Sequence, residues 1–135
     1  LSMGGSGVWS CLFHSPEKFA ACAVICGAHP DHCKKVLEVR ADYTNAPEVI
    51  GKLVELNGED IEESLRKILR VPVWVFQGAM DPICPAQLSQ VVVSTLKRLG
   101  ADVAYTEYPD ARHDAWTETY TNPELYKWFL SHARA

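Results

Sequence analysis

The sequence predicts an α/β fold built on a parallel sheet with crossover helices. Three observations predict it. Short apolar runs recur at 19–26, 71–77 and 102–108, and the first two are continuous, as strands buried on both faces require. Stretches with apolar residues three and four apart stand between and around them. Strands that alternate with helices imply a parallel sheet, because parallel strands need long crossovers.

Ser6 to His14 reads as a helix, with Val8, Trp9, Leu12 and Phe13 on one face. Ser15-Pro16 closes it, since a residue before proline disfavours the helical region. Phe19 to Cys26 is the first strand, ending at Gly27. Pro47 to Asn57 and Glu59 to Leu69 read as two short amphipathic helices broken at Asn57-Gly58. Val71 to Gln77, V-P-V-W-V-F-Q, is the second strand. Pro85 to Leu99 is a helix stopped by Gly100. Asp102 to Tyr108 is the third strand. Asn122 to Ala133 is a terminal helix with Pro123 in its first turn and Leu125, Trp128 and Phe129 as its apolar face. The link from Ala28 to Arg70 is long for one crossover. A helical insertion at about 29–70 on the rim of the site is expected.

A chain of 135 residues fits one domain. With 47% hydrophobic and 22% charged residues it has the composition of a globular core rather than a disordered chain. Net charge is −4, and the longest basic run is Lys34-Lys35, so nothing suggests a nucleic-acid footprint. The longest apolar run, 19–25, is too short to span a bilayer. Five cysteines, an odd number without framework spacing, argue against a disulfide scaffold and lean toward a reducing compartment.

In the opening Leu1-Ser2-Met3-Gly4-Gly5, the first four residues match the last four positions of G-x-S-x-G, the nucleophile elbow, in which a serine sits on a strained strand-to-helix turn. Gly4 is expected to let the chain pass close to the neighbouring strand. The Met3 N–H, next after the serine, is the expected oxyanion donor. On this reading a strand enters the elbow ahead of Leu1, and the chain is the C-terminal part of a longer enzyme. A second oxyanion donor would come from an earlier loop, so activity of these residues alone is doubtful. A Gly-rich turn of no chemical consequence is the alternative.

Ligands in open α/β sheets bind beyond the carboxyl ends of the strands. Asp81 follows the second strand and His113 follows the third. A serine hydroxyl needs a neighbouring base, a histidine suits that task near neutrality, and a carboxylate fixes the imidazole tautomer. Asp81-Pro82 alone is also a turn signal, and His113 alone could be a surface histidine. Asp114 competes as the acid, but adjacency to His113 makes it a poor partner. Trp116 is a candidate substrate contact. His29, His32 and Cys33 form H-x-x-H-C, which lacks a second ligand pair and reads as a polar loop rather than a metal site. His14 and His132 lie near helix C-termini, where partial positive charge is favourable. No cofactor or metal is expected.

The order Ser2, Asp81, His113 is that of α/β-hydrolases. The chain resembles the esterase and predicted-peptidase group of that superfamily, with feruloyl esterases and polyhydroxyalkanoate depolymerase-like proteins. The residues that carry this are L-S-M-G-G-S-G-V-W at 1–9, P-V-W-V-F-Q-G-A-M-D-P-I-C-P at 72–85, Y-T-E-Y-P-D-A-R-H-D-A-W at 105–116 and the tail N-P-E-L-Y-K-W-F-L at 122–130. The resemblance is weak across 29–70. It implies the C-terminal part of an α/β-hydrolase fold and cleavage of small-molecule or polymer-linked esters through an acyl-enzyme. Gln77 departs from the His of the group's H-G-x-x-D, and Arg112 from the Gly before its histidine. A serine peptidase of the same fold, or a non-catalytic binding module, are the competing functions.

Overall fold

A computed structural model describes residues 1–42 and 58–133. The order is helix α1 (Met3–His14), strand β1 (Cys22–Ile25), helix α2 (Pro30–Asp42), helix α3 (Glu59–Arg66), strand β2 (Val73–Gly78), helix α4 (Ala86–Arg98), strand β3 (Val103–Tyr108) and helices α5 (Ala115–Thr121) and α6 (Pro123–Ser131). Among the described residues the sheet has three strands in the order β1-β2-β3. Both pairs are parallel, with Cys22 opposite Val73 and Val73 opposite Val103.

Both faces of β2 are covered, which explains its unbroken apolar run. Val73 and Val75 point into a core with Trp9 and Leu12 of α1, Ile61 and Leu65 of α3, and Val92 and Leu96 of α4. Trp74 and Phe76, one pleat over, point into a second core with Ala115 of α5 and Leu125 of α6. Trp74 stacks on Phe76 at 4.7 Å between ring centroids, and its indole N–H donates to Thr106 Oγ1 at 2.9 Å. Full burial of such side chains is worth about 1.5–3 kcal/mol each, so β2 is the centre of the fold.

Several elements differ from expectation. The first strand is only Cys22–Ile25. Phe19 packs against the core from a segment outside the ladder, and Cys26 turns away with φ 43°. Helix α1 starts at Met3 rather than Ser6, despite three glycines, because its buried face (Gly5, Trp9, Leu12) is held against the sheet. Helix α2 lies within the helical insertion expected at about 29–70 but was not placed individually; Pro30 begins it and Asp31 lies in its first turn. Helix α5 was also not expected. Its run A-W-T-E-T-Y-T is rich in β-branched threonine, a weak helix former. The expected helix at 47–57 lies outside the described residues. Helix α6 starts at Pro123, as expected, and Asn122 caps it, its Oδ1 accepting the Glu124 N–H at 3.0 Å.

Candidate active site

Loops from three elements converge at the carboxyl end of the sheet. Ser2 is anchored there, its N–H donating to the Ile25 carbonyl at 2.9 Å. Its backbone stands at φ 52°, ψ −125°, a region that costs a non-glycine residue on the order of 1–3 kcal/mol and needs the surroundings to enforce it. Helix α1 begins at the next residue, so the Met3 N–H lies in the first turn, where no intrahelical acceptor exists.

The close approach expected of Gly4 belongs instead to Gly5. A Cβ on Gly4 would meet nothing within 4 Å, whereas one on Gly5 would lie 2.9 Å from both Gly27 Cα and the Ile25 carbonyl oxygen. Helical geometry is the reason. Gly5 shares the sheet-facing side with Trp9, one turn on, and Gly4 points outward.

Asp81 follows β2, and the loop wraps its carboxylate. Oδ1 accepts the N–H groups of Ile83 at 2.8 Å and Cys84 at 2.9 Å. Oδ2 accepts Gln77 Nε2 at 3.0 Å and faces His113 Nδ1 at 2.8 Å. The carboxyl side chain has no solvent exposure. On its other nitrogen, His113 Nε2 lies 2.8 Å from Ser2 Oγ. An ionised carboxylate can only accept, so Nδ1 carries the ring proton and Nε2 turns its lone pair to the serine hydroxyl. The structure thus brings Ser2, His113 and Asp81 into one hydrogen-bonded chain. Asp114, the competing acid, is exposed at the N-cap of α5, and His113 Nδ1 points to Asp81 instead. The half-buried Trp116 ring meets His113 edge-on at 5.5 Å between centroids.

Gly78 sets the height of the His113 loop. The Ala111 carbonyl accepts the Met80 N–H at 3.0 Å. A Cβ on Gly78 would sit 2.0 Å from the Arg112 carbonyl oxygen, so only glycine lets the two loops cross.

Gln77 was visible in the sequence only as a departure from H-G-x-x-D. Its side chain is fully buried. Nε2 donates to Asp81 and, at 2.9 Å, to the Cys84 carbonyl. Oε1 accepts the Ser89 hydroxyl of α4 at 2.8 Å. Ser89 thereby fixes the amide's orientation, and the amide helps fix Asp81. A polar amide at the end of V-P-V-W-V-F-Q is the signal that could have found it.

His29 and His32 correct another expectation. Rather than standing in an exposed polar loop, His29 just before α2 and His32 in its first turn are buried, at 1% and 0% exposure. His29 Nδ1 accepts the Asp31 N–H at 3.2 Å, which leaves Nε2–H to donate to Ser64 Oγ at 2.8 Å. Burial first, then the neighbouring His32, pulls the His29 pKa down to about 4. Both His32 ring nitrogens are buried without a hydrogen-bond partner among the described residues, and burial lowers its pKa too. Among those residues no group of three His, Cys, Asp or Glu is arranged to hold a metal. None of the five cysteines is in a disulfide among the described residues, and no described helix is long and apolar enough to cross a membrane.

No family model matches the chain. A thermostable esterase of known crystal structure superposes on 99% of it with a TM-score of 0.72 and 29% identity, over 30% of the esterase's own length. The chain has the α/β-hydrolase fold. The acylaminoacyl peptidase of Pyrococcus horikoshii shares the fold at TM-score 0.63 and 19% identity, over 96% of this chain and 21% of the peptidase. In sequence, 57 residues, 42% of the chain, are 37% identical to acyl-protein thioesterase 1 of Gibberella zeae and make up 24% of that protein. The chain therefore spans less than a third of the length of each of these relatives. Ser2, Asp81 and His113 follow one another in that order along the chain and meet at the carboxyl end of the described sheet.

Proposed function

We propose that the protein is a serine hydrolase that cleaves carboxylic esters through an acyl-enzyme. The observation that carries this reading is the unbroken pair of 2.8 Å contacts from Ser2 Oγ through His113 to Asp81. Ser2 Oγ attacks the ester carbonyl as its proton passes to His113 Nε2. The oxyanion that forms faces the Met3 N–H at the start of α1. Collapse expels the alcohol, which takes the proton from His113, and water repeats the sequence to free Ser2. Asp81 takes no proton; it holds the ring tautomer and stabilises the imidazolium. Its two backbone donors and the Gln77 amide keep it in place, and the edge of Trp116 limits rotation of the ring. Likeness to an esterase and a thioesterase supports hydrolase chemistry.

The test is turnover of a p-nitrophenyl ester by the full-length protein. Ser2→Ala should remove it by a factor of about 10⁴–10⁶, with the fold intact. Asp81→Asn should cost about 10⁴ by favouring the wrong tautomer, and Asp114→Asn far less. A Ser2→Ala protein that still releases a burst of p-nitrophenol, or the reverse ranking of the two aspartates, contradicts the reading. A thioester is the second reading, favoured by the thioesterase likeness. The same residues would expel a thiolate. Comparing kcat/KM for an oxygen ester and a thioester of one acyl group separates the two.

A further inference from the structure

Beside Ser2 lies a cavity of about 260 Å³ with nearly all-apolar walls. Cys26 and Ala28 after β1, Cys33 and Val36 of α2, Ile83 of the acid loop and Leu88 of α4 line it. No carboxylate, ammonium or guanidinium reaches it among the described residues. Burial pushes the Cys26 thiol pKa up, so that wall is neutral.

Resting on the reading of Ser2 as nucleophile, we infer that this cavity takes the hydrocarbon chain of the acyl group and selects uncharged acyl esters of about six to eight carbons. The length follows from volume. A methylene occupies roughly the space of a water, about 30 Å³ in the liquid, and packing at interior density leaves room for six to eight such groups. The side follows from the site. The acyl carbon bonds to Ser2 Oγ while its oxygen faces the Met3 N–H, and both Ser2 and Met3 line the cavity. His113 also borders the cavity, but the Trp116 edge of its ring lies outside the lining, and the leaving group, which takes the proton from that ring, departs on the Trp116 side. Leu37 and Ile83 stand at the mouth, 62% and 51% exposed, and a bound chain would cover them. An acyl group carrying a charge would lose its hydration there with no partner in return.

Three measurements on the full-length protein test this. Across p-nitrophenyl esters from acetate to decanoate, kcat/KM should rise by up to about fourfold per methylene and level off at hexanoate or octanoate. Leu37→Asp, an exposed position that tolerates charge, should lower the octanoate-to-acetate ratio by about tenfold. Binding is read apart from turnover on the Ser2→Ala protein, where calorimetric Kd values for butanoate to decanoate should tighten stepwise to about eight carbons. Affinities flat across that series overturn the inference, whether or not esters are cleaved. A slope that follows the alcohol of alkyl acetates, and not the acyl chain, also overturns it. A fatty-acid slope without Ser2-dependent turnover supports the cavity as a hydrocarbon site and rejects the nucleophile reading.

Discussion

Replacing Gln77 with Leu should weaken both the fold and the reaction, by amounts that can be worked from its contacts. The side chain is fully buried. It gives hydrogen bonds to Asp81 Oδ2 at 3.0 Å and the Cys84 carbonyl at 2.9 Å, and takes one from Ser89 Oγ at 2.8 Å. Leucine fills similar space and replaces none of them. A buried polar group left without its partner costs about 1–3 kcal/mol. Ser89 bears most of that penalty, and Asp81 loses one donor of four. The sum is about 2–5 kcal/mol, against a typical net stability of about 5–15 kcal/mol. The kinetic effect acts through position. With Oδ2 held by His113 alone, the imidazole can shift, and a displacement near 1 Å costs on the order of 10²-fold in rate. Gln77 lines no part of the acyl cavity, so kcat should fall about 10- to 100-fold with KM nearly constant. Urea unfolding and p-nitrophenyl ester kinetics measure both effects. Ser89→Ala, which removes the contact to Gln77 Oε1 but keeps Asp81 and the Cys84 carbonyl as acceptors for Nε2, should lose stability and lower kcat by less than Gln77→Leu does. A Gln77→Leu protein with an unchanged urea midpoint and kcat within about twofold would refute the reasoning.

Two other perturbations follow from the same geometry. Gly78→Ala forces a Cβ to within 2.0 Å of the Arg112 carbonyl oxygen. The loop must lift and carry His113 with it, so kcat should fall by about 10² or more; a near-normal kcat in a folded Gly78→Ala protein would contradict that role. The second concerns pH. The His29 pKa is about 4 in the fold against roughly 6.5 in the unfolded chain. A group depressed in this way contributes stability that is fully present above pH 6.5 and is lost as pH falls toward 4. The loss should reach about 3 kcal/mol, with His32 adding in the same direction. Urea midpoints between pH 7.5 and 4 should fall for the native chain and fall less for His29→Gln; equal slopes would exclude His29 as a source.

Much of the fold was legible because β2, α3, α4 and α6 carry strong local signals. V-P-V-W-V-F-Q could only be a strand covered on both faces, and Asn122-Pro123 marked a helix start. What failed was non-local or weakly patterned. Phe19 is as apolar as a strand residue, yet it packs on the core without a ladder partner. Cys33, Val36 and Leu37 did hold a helical spacing after Pro30, but the charged residues among them hid α2. Propensity spoke against α5, and packing of Ala115 and Thr119 overrode it. Ser2, Asp81 and His113 could be singled out in the sequence because residue type and strand-end position coincide there, and the structure sets them within hydrogen-bond reach of one another. The burial of His29 was not, since its partner Ser64 lies 35 residues away. The place of Gln77 could not be read either, because its orientation depends on Ser89 from another element. The glycine at the elbow was misassigned by one position, since only the helix phase distinguishes Gly4 from Gly5.

The central claim is that Ser2 carries a covalent acyl group during turnover. Acid quenching of the full-length protein in the first turnover of a p-nitrophenyl ester, followed by peptide mapping by mass spectrometry, tests it directly. One acyl group per chain should appear on the peptide that bears Ser2, appear with the burst of p-nitrophenol, and be absent from the Ser2→Ala protein. Turnover with no acylated peptide, or acylation at a cysteine such as Cys33 with Ser2 unmodified, would contradict the account.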